Sequence, residues 1–287
     1  MSNPPSLAIV IVSYNVADEL DACVRSIVGH TDPFPAAIVV VDNGSRDGTL
    51  HMLRKRWPIV RLIEAPGNVG FSRANNLGIR ATTSDFVLLL NPDTIVRAAA
   101  IPTLMRALTS APDAAAAGPR LVDHHGNPEL SFGWTIGPLG ELRQKIIGGL
   151  HARGIVPARR LVERWTRAAG PREWVSGACL LLRRADLDAV GLLDERYFMY
   201  TEDVDLCVAL RQRGRTILFV PDAEVVHLRG RSARRNPRTE QMRRASQLAY
   251  YAKHHPRWLP LLRMYLRLRG KLPLTTEGAA FAPSDER

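Results

Sequence analysis

The sequence has few cysteines and no long apolar run. Its three cysteines, Cys23, Cys179 and Cys207, lie far apart in apolar surroundings, which argues against disulfides and a zinc site and favours reduced thiols in a core. No window approaches the ~18 apolar residues that a membrane-spanning helix needs. The apolar run at residues 7–12 is too short for a signal peptide. We therefore expect a cytoplasmic globular protein.

Acidic residues are the scarcer charge. The chain has 28 Asp and Glu against 39 Lys and Arg, a formal net charge of +11, which favours partners that carry phosphate: nucleic acid, anionic lipid or a phosphorylated small molecule. A Walker loop and a dinucleotide fingerprint are absent, because the glycine loop at residues 68–78 has the spacing of neither. The simplest ATPase and dehydrogenase interpretations are thereby excluded.

Apolar periodicity predicts an α/β fold. Of the 287 residues, the first ~120 alternate strand-like and helical patterns, as βαβ units do. The predicted strands are 8–13, 37–42, 60–64 and 86–91, and the predicted helices are 18–28, 49–57 and 70–81. Three of the strands are continuous apolar runs, which is typical of a parallel sheet covered on both faces.

The pattern weakens after residue 119. We interpret residues 120–171, which are rich in glycine, as a long and partly mobile excursion on the same domain. Order returns with a strand at 174–183, a helix from Thr201 to near Gly214, and extended segments at 216–220 and 223–227. In the basic tail, residues 245–255 are predicted to be helical. Residues 258–271 form an amphipathic pattern for which membrane contact and packing on the domain both stay open.

Polar residues follow the predicted strands at the end where open α/β sheets bind ligands. Asp42 can accept a hydrogen bond from a nucleobase imide or hold a turn. Asp93 can coordinate a divalent cation together with diphosphate oxygens or cap a helix. Arg73, near a glycine-bearing helix entry, suits a phosphate. His227 ends a strand before a basic loop, and a structural role is equally open for it.

The stretch 194–206 concentrates carboxylates in an otherwise basic chain. Thr201 is a predicted N-cap, and Glu202 and Asp203 fill the first turn of the helix that follows. Acidic residues at this position also complement the helix dipole. A structural role and a catalytic role are therefore both open for this cluster.

Taken in order along residues 7–232, these motifs resemble those of known enzymes. They are Val-Ser-Tyr-Asn15, Val-Asp-Asn-Gly-Ser-Arg-Asp-Gly-Thr49, Asn68-x-Gly-Phe-x-x-Ala-Asn-Asn-x-Gly78, Leu-Leu-Asn-Pro-Asp93, Ser-Gly-Ala178, Tyr-Thr-Glu-Asp-Val-Asp205 and His227. The order resembles the family 2 glycosyltransferases of the GT-A fold, and within them the bacterial rhamnosyltransferase-like group. The implied architecture is a Rossmann-like catalytic domain at 1–232, with an acceptor-side segment at 120–171 and a basic helical tail at 233–287.

The resemblance implies a role for each site residue. Asp203 is the implied catalytic base, with Glu202 in support. The implied nucleotide-sugar-binding residues are Ser13, Tyr14, Asn15, Asp42, Asn43, Gly70, Arg73, Asn75 and Asn91. The implied acceptor-side residues are Trp174, Ser176, Gly177 and Tyr200. Asp93 and His227 are implied to hold Mn²⁺ or Mg²⁺, although Asn91 replaces the first carboxylate of the usual Asp-x-Asp motif and brings no charge.

The function implied is inverting transfer of a sugar, most simply rhamnose from dTDP-rhamnose, to a hydroxyl of a lipid-linked saccharide in cell-wall or surface-polysaccharide synthesis. Alternatives are a UDP-sugar donor, an inactive sugar-nucleotide-binding homologue and a nucleic-acid-binding protein. No nucleic acid is expected, because no nucleic-acid motif appears. We expect peripheral attachment to the anionic inner face of the plasma membrane. A homo-oligomer stays open.

Overall fold

The computed structural model describes residues 5–28, 30, 36–134, 137–229 and 237–273. Its strands are β1 Leu7–Ser13, β2 Ala36–Asp42, β3 Arg61–Glu64, β4 Phe86–Leu90, β5 Thr94–Val96, β6 Ala114–Val122, β7 Phe132–Gly133, β8 Gly170–Pro171, β9 Trp174–Val175, β10 Cys179–Arg183 and β11 Thr216–His227. Its α-helices are α1 Ala17–Ile27, α2 Thr49–Arg56, α3 Phe71–Arg80, α4 Ala100–Thr109, α5 Pro138–Ala152, α6 Val156–Arg167, α7 Arg184–Ala189, α8 Glu202–Gln212, α9 Pro237–His254 and α10 Leu259–Leu268.

One large mixed sheet organises the chain. Within the described ranges its strand order is β3-β2-β1-β4-β10-β6-β11-β5, and β8 pairs with β11. The β3, β2, β1 and β4 strands are parallel, β10 runs against both β4 and β6, and β6 is parallel to β11. The carboxyl ends of β1, β2, β4, β6 and β11 therefore meet at one edge. The predicted α/β class with a mostly parallel sheet is confirmed.

The central strands are buried on both faces. In β1, Ile9 and Ile11 belong to one apolar cluster, whereas Val10 belongs to a second cluster on the opposite face. This alternation follows from the two-residue period of a strand, and it explains why β1 is apolar at successive positions. The three cysteines are free and buried, as predicted.

Residues 120–171 differ from the expected excursion. The α5 and α6 helices form a helical hairpin there, and β6 ends in this region. Glycines in α5 obscured its period, although the spacing of Ala158, Val162 and Thr166, all buried, is helical. The β6 strand was missed because it begins with four alanines, which favour helix in isolation.

Two further boundaries need correction. The strand predicted at 174–183 is two strands in different sheets, β9 and β10, separated by a turn at Ser176 and Gly177. The two extended segments at 216–227 form the single strand β11, with an irregularity between Val220 and Glu224. The turn between β9 and β10 therefore lies at the sheet edge where β4 ends, because Cys179 pairs with Leu90.

The predicted helices of the basic tail are present as α9 and α10. The α9 helix packs on α8 and on the stretch that precedes it. Tyr250 and Tyr251 are buried against Tyr197, Val204 and Val208. The Ser246 hydroxyl donates to the carbonyl of Met199 at 2.7 Å. Among the described residues, no helix combines the length and apolar character needed to cross a membrane.

Candidate active site

The first polar group lies where β1 and β2 end side by side. Ser13 and Asp42 are register partners, and the Ser13 hydroxyl donates to Asp42 Oδ1 at 3.2 Å. Asp42 Oδ2 accepts the backbone N–H groups of Gly44 and Ser45 at 3.2 and 2.9 Å. The turn role of Asp42 is therefore observed. Its contact with a nucleobase stays a prediction.

Side-chain hydrogen bonds join the chain segments next to this turn. The Asn15 side chain accepts the N–H of Arg46 at 2.7 Å, and its backbone has a left-handed φ of 55°. Asn43 accepts the N–H of Val69 and donates to Asn68, both at 2.9 Å. Tyr14, 38% exposed, is left at the surface of this edge, where a base could lie against its ring.

The entry to α3 has a different role from the one predicted. The N–H groups of Val69, Gly70 and Phe71 donate to Asn43, to Asn68 and to the carbonyl of Phe198. They are therefore not directed at a phosphate. A Cβ added at Gly70, whose φ is +91°, would lie 2.8 Å from both the ring and the carbonyl of Phe198, so this glycine is needed for a close approach.

Two other residues predicted to bind the donor lie in the same helix, and their contact with a nucleotide sugar stays a prediction. Arg73 is 62% exposed and lies 3.9 Å from Glu195, and Asn75 donates to the carbonyl of Phe71 within its own helix at 2.9 Å. Asn76, quoted in the motif but not assigned, is bound to both the N–H and the carbonyl of Leu193. The α3 helix thus positions the stretch that leads into α8.

The end of β4 offers acceptor oxygens to the cleft. Asn91 donates its backbone N–H to the carbonyl of Ala178 at 2.9 Å, while its buried Oδ1 has no hydrogen-bond partner. Asp93 is buried. The helix-capping alternative for Asp93 fails, because β5 follows it rather than a helix.

His227 lies between two carboxylates. Its Nε2 is 3.5 Å from Asp93 Oδ1, and its Nδ1 is 3.2 Å from Glu129 Oε2. Burial by itself would lower the pKa of His227, but these two carboxylates raise that pKa to about 9. Glu129 also binds Arg229 at 2.7 Å. Sequence reasoning missed Glu129, because nothing in the pattern of residues 120–171 singles it out.

Asp203 stands at the entry to α8 beside the turn between β9 and β10. Its Oδ2 accepts the N–H of Gly177 at 2.8 Å, and its Oδ1 accepts the N–H of Val204 at 2.8 Å. Desolvation raises the pKa of this carboxyl despite those hydrogen bonds. The carbonyl of Ala178, the residue after Gly177, accepts the N–H of Asn91. Two hydrogen bonds and one peptide link therefore connect Asp203 with the end of β4.

The backbone before Asp203 is strained. Tyr200 and Thr201 have φ values of 72° and 76°, in the left-handed region that non-glycine residues rarely adopt. Thr201 occupies the N-cap position, as predicted, but its side chain makes no capping hydrogen bond. Such strain is held by surrounding contacts and is frequent at functional sites.

Glu202 is a buried carboxyl in the first turn of α8. It is 7% exposed, and its Oε2 has no hydrogen-bond partner. Desolvation, together with the charge of Asp203, raises the pKa of Glu202 well above its ordinary value. The folded chain therefore holds this proton more tightly than the unfolded chain does.

This proton makes stability depend on pH. The bound proton contributes fully to the free energy of unfolding below the ordinary glutamate pKa. This contribution is lost as the pH rises through the folded-state pKa, and the free energy of unfolding falls by up to about 1.4 kcal/mol per pH unit. We expect Glu202→Gln, which cannot ionise, to gain stability over the wild type as the pH rises. Denaturant unfolding of both proteins from about pH 5 to about pH 8 measures the difference. A difference that does not vary with pH would contradict an elevated pKa.

Asp205 fastens the tail to this stretch. Its Oδ1 accepts from the Tyr197 hydroxyl at 3.0 Å and lies 2.6 Å from His254 Nε2, and its Oδ2 accepts from Lys253 at 2.8 Å. Lys253 also donates to Asp194 at 2.8 Å. The lysine and the histidine, both of α9, are distant from Asp205 in sequence.

The predicted acceptor-side residues divide into two groups. Gly177 contacts Asp203, and Ser176 is beside it with its N–H on the carbonyl of Ser131 at 2.7 Å. Tyr200 is partly buried, and burial raises the pKa of its hydroxyl. Trp174 packs in the apolar clusters beside α8, with its indole N–H on the carbonyl of Trp134 at 2.8 Å.

The chain matches a known family over most of its length. A family model described as "Glycosyltransferase like family 2" matches residues 4–259. The N-acetylglucosaminyl-diphospho-decaprenol L-rhamnosyltransferase of Mycobacterium tuberculosis (strain ATCC 25618 / H37Rv) is 34% identical over 289 residues, covering 93% of this chain and 91% of the relative.

Solved structures share the fold. A mannosyltransferase from Pyrobaculum calidifontis, in complex with GDP-Man and Mn²⁺, has a TM-score of 0.61 and 19% identity, covering 97% of this chain and 74% of that one. GalNAc-T7, with UDP, GalNAc and Mn²⁺, has a TM-score of 0.59 and 17% identity, covering 84% of this chain and 48% of that one. The predicted GT-A-like architecture is thus confirmed.

Proposed function

Because the chain belongs to glycosyltransferase family 2, we propose that it transfers a sugar, rhamnose from dTDP-rhamnose in the first instance, to a hydroxyl of a lipid-linked saccharide with inversion. The 34% identical rhamnosyltransferase supports this choice of donor and acceptor class. A UDP-sugar is the alternative donor. The proposed role belongs to cell-wall or surface-polysaccharide synthesis.

One observation carries the proposal. The carboxylate of Asp203 binds the N–H of Gly177, and the next residue, Ala178, binds Asn91 at the end of β4. A base with a raised pKa therefore stands next to the sheet edge that binds ligands in α/β folds. This arrangement brings a proton acceptor to the place where an acceptor hydroxyl would meet a bound nucleotide sugar.

The residues have separable tasks in the displacement. Asp203 takes the proton from the acceptor hydroxyl while that oxygen attacks the anomeric carbon and the bond to the diphosphate breaks. The raised pKa of Asp203 brings its basicity closer to the working pH, which improves general-base catalysis. Tyr14 and Asp42 would hold the base of the nucleotide, and Asn91 its ribose.

The end of β4 also fits a divalent cation of the kind that the solved neighbours contain. Asp93 and His227 face each other, the buried Asn91 Oδ1 lacks a partner, and Glu129 would orient the imidazole from behind. No group of three or more His, Cys, Asp and Glu among the described residues is arranged to hold a metal, so donor diphosphate oxygens would complete the coordination, as is usual for Mg²⁺. When bound, the cation would neutralise charge on the departing nucleoside diphosphate.

A thermal-shift screen of dTDP, UDP and GDP and their sugars, with and without Mn²⁺, tests donor and cation together, because a bound ligand raises apparent stability by mass action. We expect dTDP-rhamnose with Mn²⁺ to give the largest shift. EDTA or Asp93→Ala should lower both the shift and the rate of transfer. Undiminished transfer in excess EDTA would contradict the cation, and a larger shift with UDP-sugars would favour the alternative donor.

Membrane attachment is proposed through α10. This helix packs Leu262 and Leu266 toward the domain, while Leu261, Met264 and Leu268 are 51%, 56% and 80% exposed. Arginines at 263, 267 and 269 are exposed around them. An exposed apolar face with basic neighbours suits an anionic membrane surface.

Sedimentation with vesicles that contain phosphatidylglycerol tests this attachment. We expect the double variant Leu261→Ser and Leu268→Ser to lose most of its binding, because it removes two of the largest exposed apolar side chains from the helix. Ile59→Ser, which alters an apolar side chain 65% exposed elsewhere, is the control. Equal binding of all three proteins would contradict a role for α10.

A further inference from the structure

A groove beside α6 carries an excess of positive charge. It has a volume of about 750 Å³, and four arginines of α6, at 159, 160, 164 and 167, line it together with Asp123 and Glu163. Both carboxylates are already engaged: Asp123 accepts from the backbone of His125 and Asn127, and Glu163 binds Arg120 and Arg167. The groove therefore presents uncompensated guanidinium groups.

Three of these arginines are available to a ligand. No described residue forms a hydrogen bond or an ion pair with the side chain of Arg159, Arg160 or Arg164. His151, at the other wall of the groove, has a buried Nδ1 without a hydrogen-bond partner. A guanidinium group can donate two parallel hydrogen bonds to the oxygens of one phosphate. These arginines therefore suit a phosphate or diphosphate better than a neutral ligand.

The groove opens at the active-site edge of the sheet. Val122, where β6 ends, is the register partner of Val226 in β11, one residue before His227. The segment that leaves the groove at Pro128 reaches Ser131, whose carbonyl binds Ser176 beside the Asp203 partner Gly177. Pro128 and Ser131 are three residues apart and therefore at most about 10 Å from each other, so the Pro128 end of the groove lies close to the turn that binds Asp203.

Apolar side chains border the groove on its outer side. Val156, the first residue of α6, lines the groove and is 56% exposed; Ile155, just before it, is 44% exposed, and Leu150, near the end of α5, is 37% exposed. An anionic head bound by the arginines would thus have an apolar surface next to it. A ligand with phosphate at one end and hydrocarbon at the other meets both conditions.

We propose that this groove binds the diphosphate that joins the acceptor saccharide to its lipid, which rests on the proposed function. The donor diphosphate belongs to the separate position at Asn91, Asp93 and His227. The arginines of the groove would bind the diphosphate of the acceptor. The saccharide would then extend toward Asp203, and the lipid would contact the exposed side chains of Leu150, Ile155 and Val156.

The test compares Arg160→Gln/Arg164→Gln with Arg106→Gln/Arg213→Gln, a control pair that removes two exposed arginines far from the groove. Transfer is measured to one saccharide presented as a lipid diphosphate and as a neutral alkyl glycoside. We expect the groove variant to raise KM for the diphosphate acceptor at least tenfold, with kcat, KM for the neutral acceptor and thermal shift by the donor unchanged. Unchanged KM for the diphosphate acceptor, or an equal rise with the neutral acceptor, would overturn the proposal.

Calorimetry with farnesyl diphosphate provides an arm that does not need transfer. Wild type and control pair should bind it, and the groove variant should bind at least tenfold more weakly. If wild type binds farnesyl diphosphate in this way but transfers no sugar, the proposed function fails and the groove stands. If the groove variant keeps farnesyl diphosphate and loses phosphatidylglycerol vesicles instead, the ligand is membrane phospholipid and the proposal is wrong.

Discussion

Asp203→Asn is expected to lower the rate of sugar transfer about 10²–10⁴-fold, the usual contribution of a general base. The amide keeps the shape of the side chain but cannot take the proton of the acceptor hydroxyl. Binding of the nucleotide sugar should be unchanged, because the proposed role of Asp203 is toward the acceptor hydroxyl. Single-turnover transfer and thermal shift by the donor measure the two effects separately.

The matched control for this change is Asp194→Asn in the same acidic stretch. Asp194 binds Arg196 and Lys253 in partly exposed ion pairs, which solvent screens, so we expect their contribution to be small, about 1 kcal/mol. We expect it to transfer sugar nearly as fast as the wild type. If Asp203→Asn also transfers at the wild-type rate, another group is the base.

Asp205→Asn is expected to cost about 3 kcal/mol of folding free energy, the lower end for a broken buried ion pair, because Lys253 is partly exposed to solvent. The carboxylate of Asp205 is 3% exposed, and it holds Tyr197 of the acidic stretch as well as Lys253 and His254 of α9. The asparagine removes the negative charge, and its one side-chain oxygen cannot replace the two oxygens that serve Tyr197, His254 and Lys253, although Lys253 keeps Asp194. The free energy of unfolding in denaturant measures the change.

Asp222→Asn, at an exposed position in β11, controls for the removal of one negative charge and should change stability by less than about 0.5 kcal/mol. If both variants unfold at the same denaturant concentration as the wild type, the Asp205 network contributes no net stability. Transfer by Asp205→Asn should also fall, because α8 carries both Asp205 and the proposed base.

The sequence was most informative where local chemistry decides the structure. The bounds of β1, β2 and β4 followed from continuous apolar runs, and the polar residues after them do lie at one edge. The turn at Asp42 followed from residue preference. These features depend on neighbours along the chain, so one sequence suffices to predict them.

What remained hidden depends on contacts distant in sequence. Glu129 meets His227 across about a hundred residues, and Lys253 meets Asp205 across about fifty; neither pair leaves a periodic trace. The entry to α3 had the composition of a phosphate-binding loop, yet Asn43 and Phe198 take its N–H groups. Tertiary partners that compete for the same donors decide such cases.

The attachment of α9 to the acidic stretch has a consequence for synthesis. Chains fold as they leave the ribosome, from the N-terminus onward, and every motif of the family is made before Lys253 and His254 appear. Until then, Asp205 lacks its partners Lys253 and His254, and Tyr197 and Val208 lack the tyrosines that cover them. The α8 helix, which carries the proposed base, would therefore gain its last contacts only after the tail is made, and a nascent chain that already contains all of the proposed site residues would hold this helix less firmly than the finished protein does.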